Sequence, residues 1–196
     1  HSLRPIINGN VVIIVAVFIS GGLLAIKHKA DELAGVLLAF STIKPQLSLL
    51  IVIFVVFWAI FQHRHRILIW FFSTLVLLVL SAMLLIPDWI VQNLLEILRY
   101  PLYNPPLSLQ SALSGLLPGF GARIGWAVSA ILVLLLLIEW SISMRTQFSG
   151  FLFTAMITLL ASQWIGIPTD PGNFIILFPA LVMIFEAWER RWKQAG

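Results

Sequence analysis

Ile67 to Ile86 is a run of about 20 residues without a charged side chain, which is the length an α-helix needs to cross the hydrocarbon core of a bilayer. Inside lipid every backbone N–H and C=O must find its partner within the protein. A continuous apolar run therefore reads as a helix. A membrane strand would instead show alternating segments of about 10 residues. Further apolar runs follow the same pattern: Val11 to Ile26, Leu33 to Ile43, Pro45 to Phe61, Ile124 to Ile142, Phe148 to Ile165 and Phe174 to Trp188. Hydrophobic residues make up 60% of the 196-residue chain and charged residues 10%. The mean hydropathy is +1.02. No soluble core of this size could bury so much apolar surface. The sequence predicts an all-α polytopic membrane protein, with about five full transmembrane helices plus a broken helical hairpin. Residues 1–196 read as a single transmembrane domain.

The hairpin is predicted over residues 33–61, where Lys44-Pro45-Gln46 interrupts an otherwise apolar stretch. A lysine at the centre of a transmembrane helix costs about 2.5–3.5 kcal/mol on insertion scales. Proline removes a backbone donor and pushes the residue before it out of the α region. Two arrangements accommodate both features: a kink facing a protein-lined cavity, or the tip of a membrane hairpin. Both put Lys44 and Gln46 at a polar site rather than in lipid.

Charge counting favours the hairpin. Cytoplasmic loops carry the excess of Lys and Arg. Lys27, Lys29, Arg64, Arg66, Arg145, Arg190, Arg191 and Lys193 fall on one side only if the chain leaves the cytoplasm after Asp31-Glu32 and returns before Gln62. They are eight of the twelve basic residues. Arg4, Lys44, Arg99 and Arg123 then lie outside. Trp58, Trp70, Trp140 and Trp188 fall near inner ends, and Trp89, Trp126 and Trp164 near outer ends, as an aromatic belt requires. The C-terminus is expected in the cytoplasm.

Residues 87–123 are expected to lie outside. Pro87-Asp88-Trp89 ends a span. Trp89 to Tyr100 has the spacing of an amphipathic helix on the membrane surface. Pro101 to Arg123 is rich in Pro, Ser and Gly and reads as a long loop. Gly121 and Gly125 are spaced to let two helices approach closely.

The polar residues that gather outside define the candidate site. Lys44, Gln46 and Arg123 suit an anionic headgroup, since lysine binds phosphate as a point charge. A lipid phosphate is the natural candidate, because its tail can lie among the spans. Asn8, Asn10, Asp88, Tyr103, Asp170 and Asn173 form a wider polar set at the same face. The absence of cysteine excludes disulfides, thiolate catalysis and iron–sulfur ligation. His28, His63 and His65 sit in basic loops and read as interface anchors, so no metal and no cofactor is expected. Glu139 and Glu186 lie about one turn from inner ends and read as snorkelling side chains. The basic residues are membrane flanks, so nucleic acid is not an expected partner.

Several of these stretches are similar to glycosyltransferase family 87. They are Asn8-Gly9-Asn10-Val11 before a span, Leu33-Ala34-Gly35-Val36-Leu37-Leu38-Ala39 after a basic loop, and Ile43-Lys44-Pro45-Gln46. The basic loop His63 to Arg66, Pro87-Asp88-Trp89, and Pro168-Thr169-Asp170-Pro171-Gly172-Asn173 before a last span with Pro179 complete the set. The resemblance covers nearly the whole chain and matches the C-terminal half of the family. It implies a GT-C-like C-terminal bundle in a bacterial inner (cell) membrane enzyme. Such an enzyme transfers a mannose-like sugar from a polyprenyl-phosphate donor to an acceptor at the outer face. Lys44, Gln46 and Arg123 would then hold the donor phosphate. The family's general base is an acidic residue in the first outer loop. No residue here corresponds to it, so no catalytic residue is assigned and the chain is expected to be part of a longer protein.

A reading of another class is a non-catalytic integral subunit of a larger membrane complex, packed against other membrane subunits and lipids. A scaffold has no need of a charge at Lys44, and a partner-chain carboxylate there would favour it. A transporter is a weaker third reading. Broken helices line transport sites, but no paired broken helix appears in a second half.

Overall fold

The computed structural model describes residues 11–103, 108–165 and 171–185. Eight α-helices come first in chain order: α1 (Val12–Lys27), α2 (Asp31–Ser41), α3 (Pro45–Phe61), α4 (His65–Leu85), α5 (Trp89–Tyr103), α6 (Leu109–Leu116), α7 (Gly121–Ser143) and α8 (Phe148–Ile165). A 3-10 segment, Pro171–Leu177, then runs into α9, residues 178–185. No strand occurs among the described residues. Three of these helices, α4, α7 and α8, are long and apolar enough to cross a membrane. The shorter apolar helices are Val12–Lys27, Pro45–Phe61 and Asn173–Phe185. The architecture is that of an all-α polytopic membrane protein.

The helix ends follow from local chemistry. Pro45 opens α3 at its first position, where the missing N–H is no loss. Asp31 and Glu32 occupy the first turn of α2, where negative charge complements the helix dipole and extends the helix beyond its apolar run. Ile86 is extended (φ −137°, ψ 97°) because Pro87 follows it, and α4 stops there.

Two turns are built alike. After α1, Lys29 N–H donates to Ile26 O at 3.2 Å and Ala30 N–H to Ala25 O at 2.9 Å. After α3, His63 N–H donates to Ile60 O at 3.1 Å and Arg64 N–H to Ala59 O at 2.9 Å. Both are Schellman closures. Their left-handed residues, Lys29 (φ 58°) and His63 (φ 55°), are not glycine. An L-residue in that region costs roughly 1–2 kcal/mol.

The hairpin reverses as the charge count requires. Arg64, just past α3, forms a two-point pair with Asp31 at the start of α2. The Arg64 guanidinium also donates twice to Ile26 O, at 3.1 and 3.2 Å. Arg66 pairs with Glu32 at 3.1 Å, and Gln62 Nε2 donates to Met144 O at 2.8 Å. The loops after α1, α3 and α7 therefore meet at one end of the bundle. The two hairpin legs, however, have different main partners. α2 packs between α1 and α4, while α3 packs on α8.

Gly35 permits the α2–α4 crossing. A Cβ there would stand 2.5 Å from Ile67 O and 2.8 Å from Phe71 N. The core continues through Phe54 of α3, whose ring lies 5.4 Å from both Trp140 of α7 and Phe151 of α8. Polar contacts tie α7 to α8: Trp140 Nε1 donates to Thr158 Oγ1 at 2.9 Å and Thr154 Oγ1 to Glu139 Oε1 at 3.1 Å. Glu139 is half-buried and accepts this bond about one turn from the end of α7. Interhelical hydrogen bonds of this kind act as glue where lipid supplies no hydrophobic drive.

The segment expected as a long loop before Arg123 contains a helix. Ser108 caps α6 reciprocally with Ser111. The helix lies against α7 where glycines leave room. A Cβ on Gly121 would stand 2.0 Å from Leu113 O, and one on Gly125 would stand 2.6 Å from Gln110 Cα. Gln110 Nε2 then reaches Ser129 Oγ at 2.9 Å. A further departure concerns the last span. It begins as a 3-10 turn at Pro171 rather than as an α-helix at Phe174.

Candidate functional site

At the end of the bundle away from the basic loops, α2 and α3 are joined by Thr42, Ile43 and Lys44. The last turn of α2 is closed by its own side chains. Ser41 Oγ donates to Leu38 O at 2.6 Å and Thr42 Oγ1 to Ala39 O at 2.7 Å. The Thr42 and Ile43 amides add short-range bonds to Ala39 O and Phe40 O. These bonds satisfy carbonyls that would otherwise be orphaned in an apolar setting. Lys44 then adopts φ −128°, ψ 79° as the cap residue of α3. That conformation lies outside the α region, which a following proline disfavours. Leu47 N–H donates to Lys44 O at 3.0 Å and starts the helix.

The Lys44 ammonium is directed by a distant residue. Its Nζ donates to Asn173 Oδ1 at 2.8 Å. Asn173 is fully buried on the 3-10 segment, which packs on α1 and α8. The contact fixes a half-buried cation at a helix N-terminus, where the dipole also favours an anion. An amide oxygen positions an ammonium without adding a charge of its own. Gln46 is half-buried on the first turn of α3. One turn past Lys44, Ser48 is fully buried, and its hydroxyl has no hydrogen-bond partner among the described residues.

The other expected site residues are distributed more widely. Arg123 is exposed on the first turn of α7, a helix that packs chiefly on α6 and α8. Asp88 is exposed in the turn between α4 and α5, where its carbonyl accepts from Gln92 N–H at 3.0 Å. Tyr103 is the last residue of α5, and its side chain lies outside the described residues. Asn8, Asn10 and Asp170 also lie outside them. Lys44 and Asn173 are therefore the pair that the fold brings into contact.

Ser48, Ser162 and Gln163 were not anticipated. Ser162 and Gln163 are buried in the last turn of α8, and Gln163 Nε2 donates to Ser162 Oγ at 3.1 Å. A glutamine inside an apolar run was the available signal. Among the described residues, no three His, Asp or Glu side chains converge as metal ligands would.

A family model described as "Glycosyltransferase family 87" matches residues 2–162. No curated protein and no solved structure matches the chain.

Proposed function

The chain belongs to glycosyltransferase family 87, and from that premise we propose that Lys44 binds the phosphate of a polyprenyl-phosphate sugar donor in a GT-C-type membrane enzyme. The reaction is transfer of a mannose-like sugar from that lipid to an acceptor at the outer face. The observation that carries the reading is the Lys44–Asn173 contact at the break between α2 and α3. It supports a held cation beside apolar helices, where a lipid phosphate can meet the ammonium while its chain lies along the bundle. Gln46, on the first turn of α3, supplies an amide to the same phosphate. Arg123 is at most an outer support, because it stands on a helix with other packing partners. The donor phosphate carries the leaving group's charge. A fixed ammonium there stabilises the negative charge that develops as the sugar departs.

The basic-loop end faces the cytoplasm in this reading, and the Lys44 end faces the opposite side. The bundle sits in the bacterial inner membrane. The test is transfer by the full-length protein reconstituted in proteoliposomes. Sugar should move from polyprenyl-phosphate mannose and not from a nucleotide sugar. Transfer from the nucleotide sugar alone would overturn the proposal.

A further inference from the structure

The end of the bundle opposite Lys44 carries a polar concavity. The loops after α1, α3 and α7 line an open pocket of about 490 Å³. Lys27, Lys29 and Arg64 line it together with one carboxylate, Asp31. Asp31 is already held by the Arg64 fork. Lys27 and Lys29 form no ion pair among the described residues. Three cations against one carboxylate leave the lining positive. Lys29 stands in a left-handed position that glycine would occupy without strain.

Trp58 forms part of the same wall. Its side chain is 5% exposed, and its indole N–H has no acceptor among the described residues. The Arg64 guanidinium lies 5.3 Å from the Trp58 ring centroid. The wall thus offers the Lys27 and Lys29 ammonium groups, while the Arg64 guanidinium beside them is held by Asp31 and Ile26 O. Ile26 and Phe148 supply apolar contact at the helix ends.

We infer that this pocket binds the phosphate headgroup of an anionic membrane phospholipid, at the face opposite the donor site. A basic pocket between transmembrane helices at the membrane surface has the charge and position for such a headgroup. The acyl chains continue along Phe148, which is half-buried at the start of α8. This site is independent of the Lys44 assignment, since it uses none of the same residues.

The test uses the full-length protein in phosphatidylcholine nanodiscs, with phosphatidylglycerol titrated in. Retained lipid is counted by native mass spectrometry. Wild type should retain a phosphatidylglycerol. A Lys27→Gln/Lys29→Gln variant should bind it roughly 30-fold more weakly. A Lys27→Arg/Lys29→Arg variant should restore binding. Failure of arginine to restore it would mean that charge is not the determinant, and would overturn the site. Arg145 lies at the same end but outside the pocket lining, so Arg145→Gln should leave binding unchanged. An equal loss with Arg145→Gln would reduce the effect to general surface charge and overturn the proposal. Inorganic phosphate protecting the site as well as the lipid does would replace the lipid by a soluble anion and overturn the lipid assignment.

Discussion

The Lys44 ammonium donates to Asn173 Oδ1 at 2.8 Å, although the two residues are 129 positions apart. The contact joins the break between α2 and α3 to the 3-10 segment that packs on α1 and α8. A hydrogen bond involving a charged group contributes about 1.5–3 kcal/mol. Asn173→Ala should therefore lower the melting temperature in detergent and also weaken donor binding, because the ammonium loses its positioning partner. Asn173→Asp tests the charge requirement separately. It retains an acceptor but adds a carboxylate, and should weaken donor binding more than it weakens the fold.

Gly35 is the tightest packing constraint on the hairpin. Its missing Cβ lets the backbone of α4 approach at Ile67 and Phe71. Gly35→Ala forces backbone apart rather than a flexible side chain, and overpacking of this kind typically costs 1–3 kcal/mol. A clear fall in thermal stability is expected. Gly115 has nothing within 4 Å of its virtual Cβ, so Gly115→Ala should leave stability near that of wild type.

The Arg64 fork closes the basic-loop end by holding both Asp31 and Ile26 O. Lysine keeps the charge but cannot span both acceptors. Arg64→Lys should therefore destabilise the protein nearly as much as Arg64→Gln. Arg66 is different. Its pair with Glu32 is largely exposed, at 76% and 44% of the two side chains. Exposed pairs contribute about 0–1 kcal/mol, so Arg66→Gln should hardly shift the melting temperature.

Trp140 and Thr158 provide a test of the α7–α8 seam. Trp140→Phe retains most of the ring contact with Phe54 but removes the donor to Thr158. Hydrogen bonds between membrane helices average about 0.6 kcal/mol and rarely exceed 1.7. A small destabilisation is expected, and Thr158→Val in the Trp140→Phe background should add little. A full additive loss in the double variant would show that the two side chains act separately.

Much of this architecture is legible in the sequence because lipid leaves few choices for a long apolar run. Pro45–Phe61 and Phe148–Ile165 have the same bounds in the sequence reading and in the structure. Lys44-Pro45 marks the break because proline and charge act locally. Counting lysines and arginines placed the loops after α1, α3 and α7 at one end, and the bonds of Arg64 and Gln62 are made there. The packing of the two hairpin legs against different neighbours was not legible. Nothing local in Leu33–Phe61 names α4 or α8 as a partner. The pairing of Lys44 with Asn173 was hidden for the same reason: both residues stood among the candidates, but their contact depends on a tertiary path. The α6 helix was concealed by serine, proline and glycine. In the structure the serines cap it and the glycines of α7 receive it.

The most direct test of the account is the dissociation constant of a polyprenyl-phosphate sugar for the full-length protein carrying Lys44→Gln. Removing a charged hydrogen-bonding partner of phosphate costs about 1.5–3 kcal/mol, so binding should weaken roughly 10- to 150-fold, with partial recovery in Lys44→Arg. An unchanged dissociation constant in a folded Lys44→Gln protein would contradict the assignment of Lys44 to the donor phosphate.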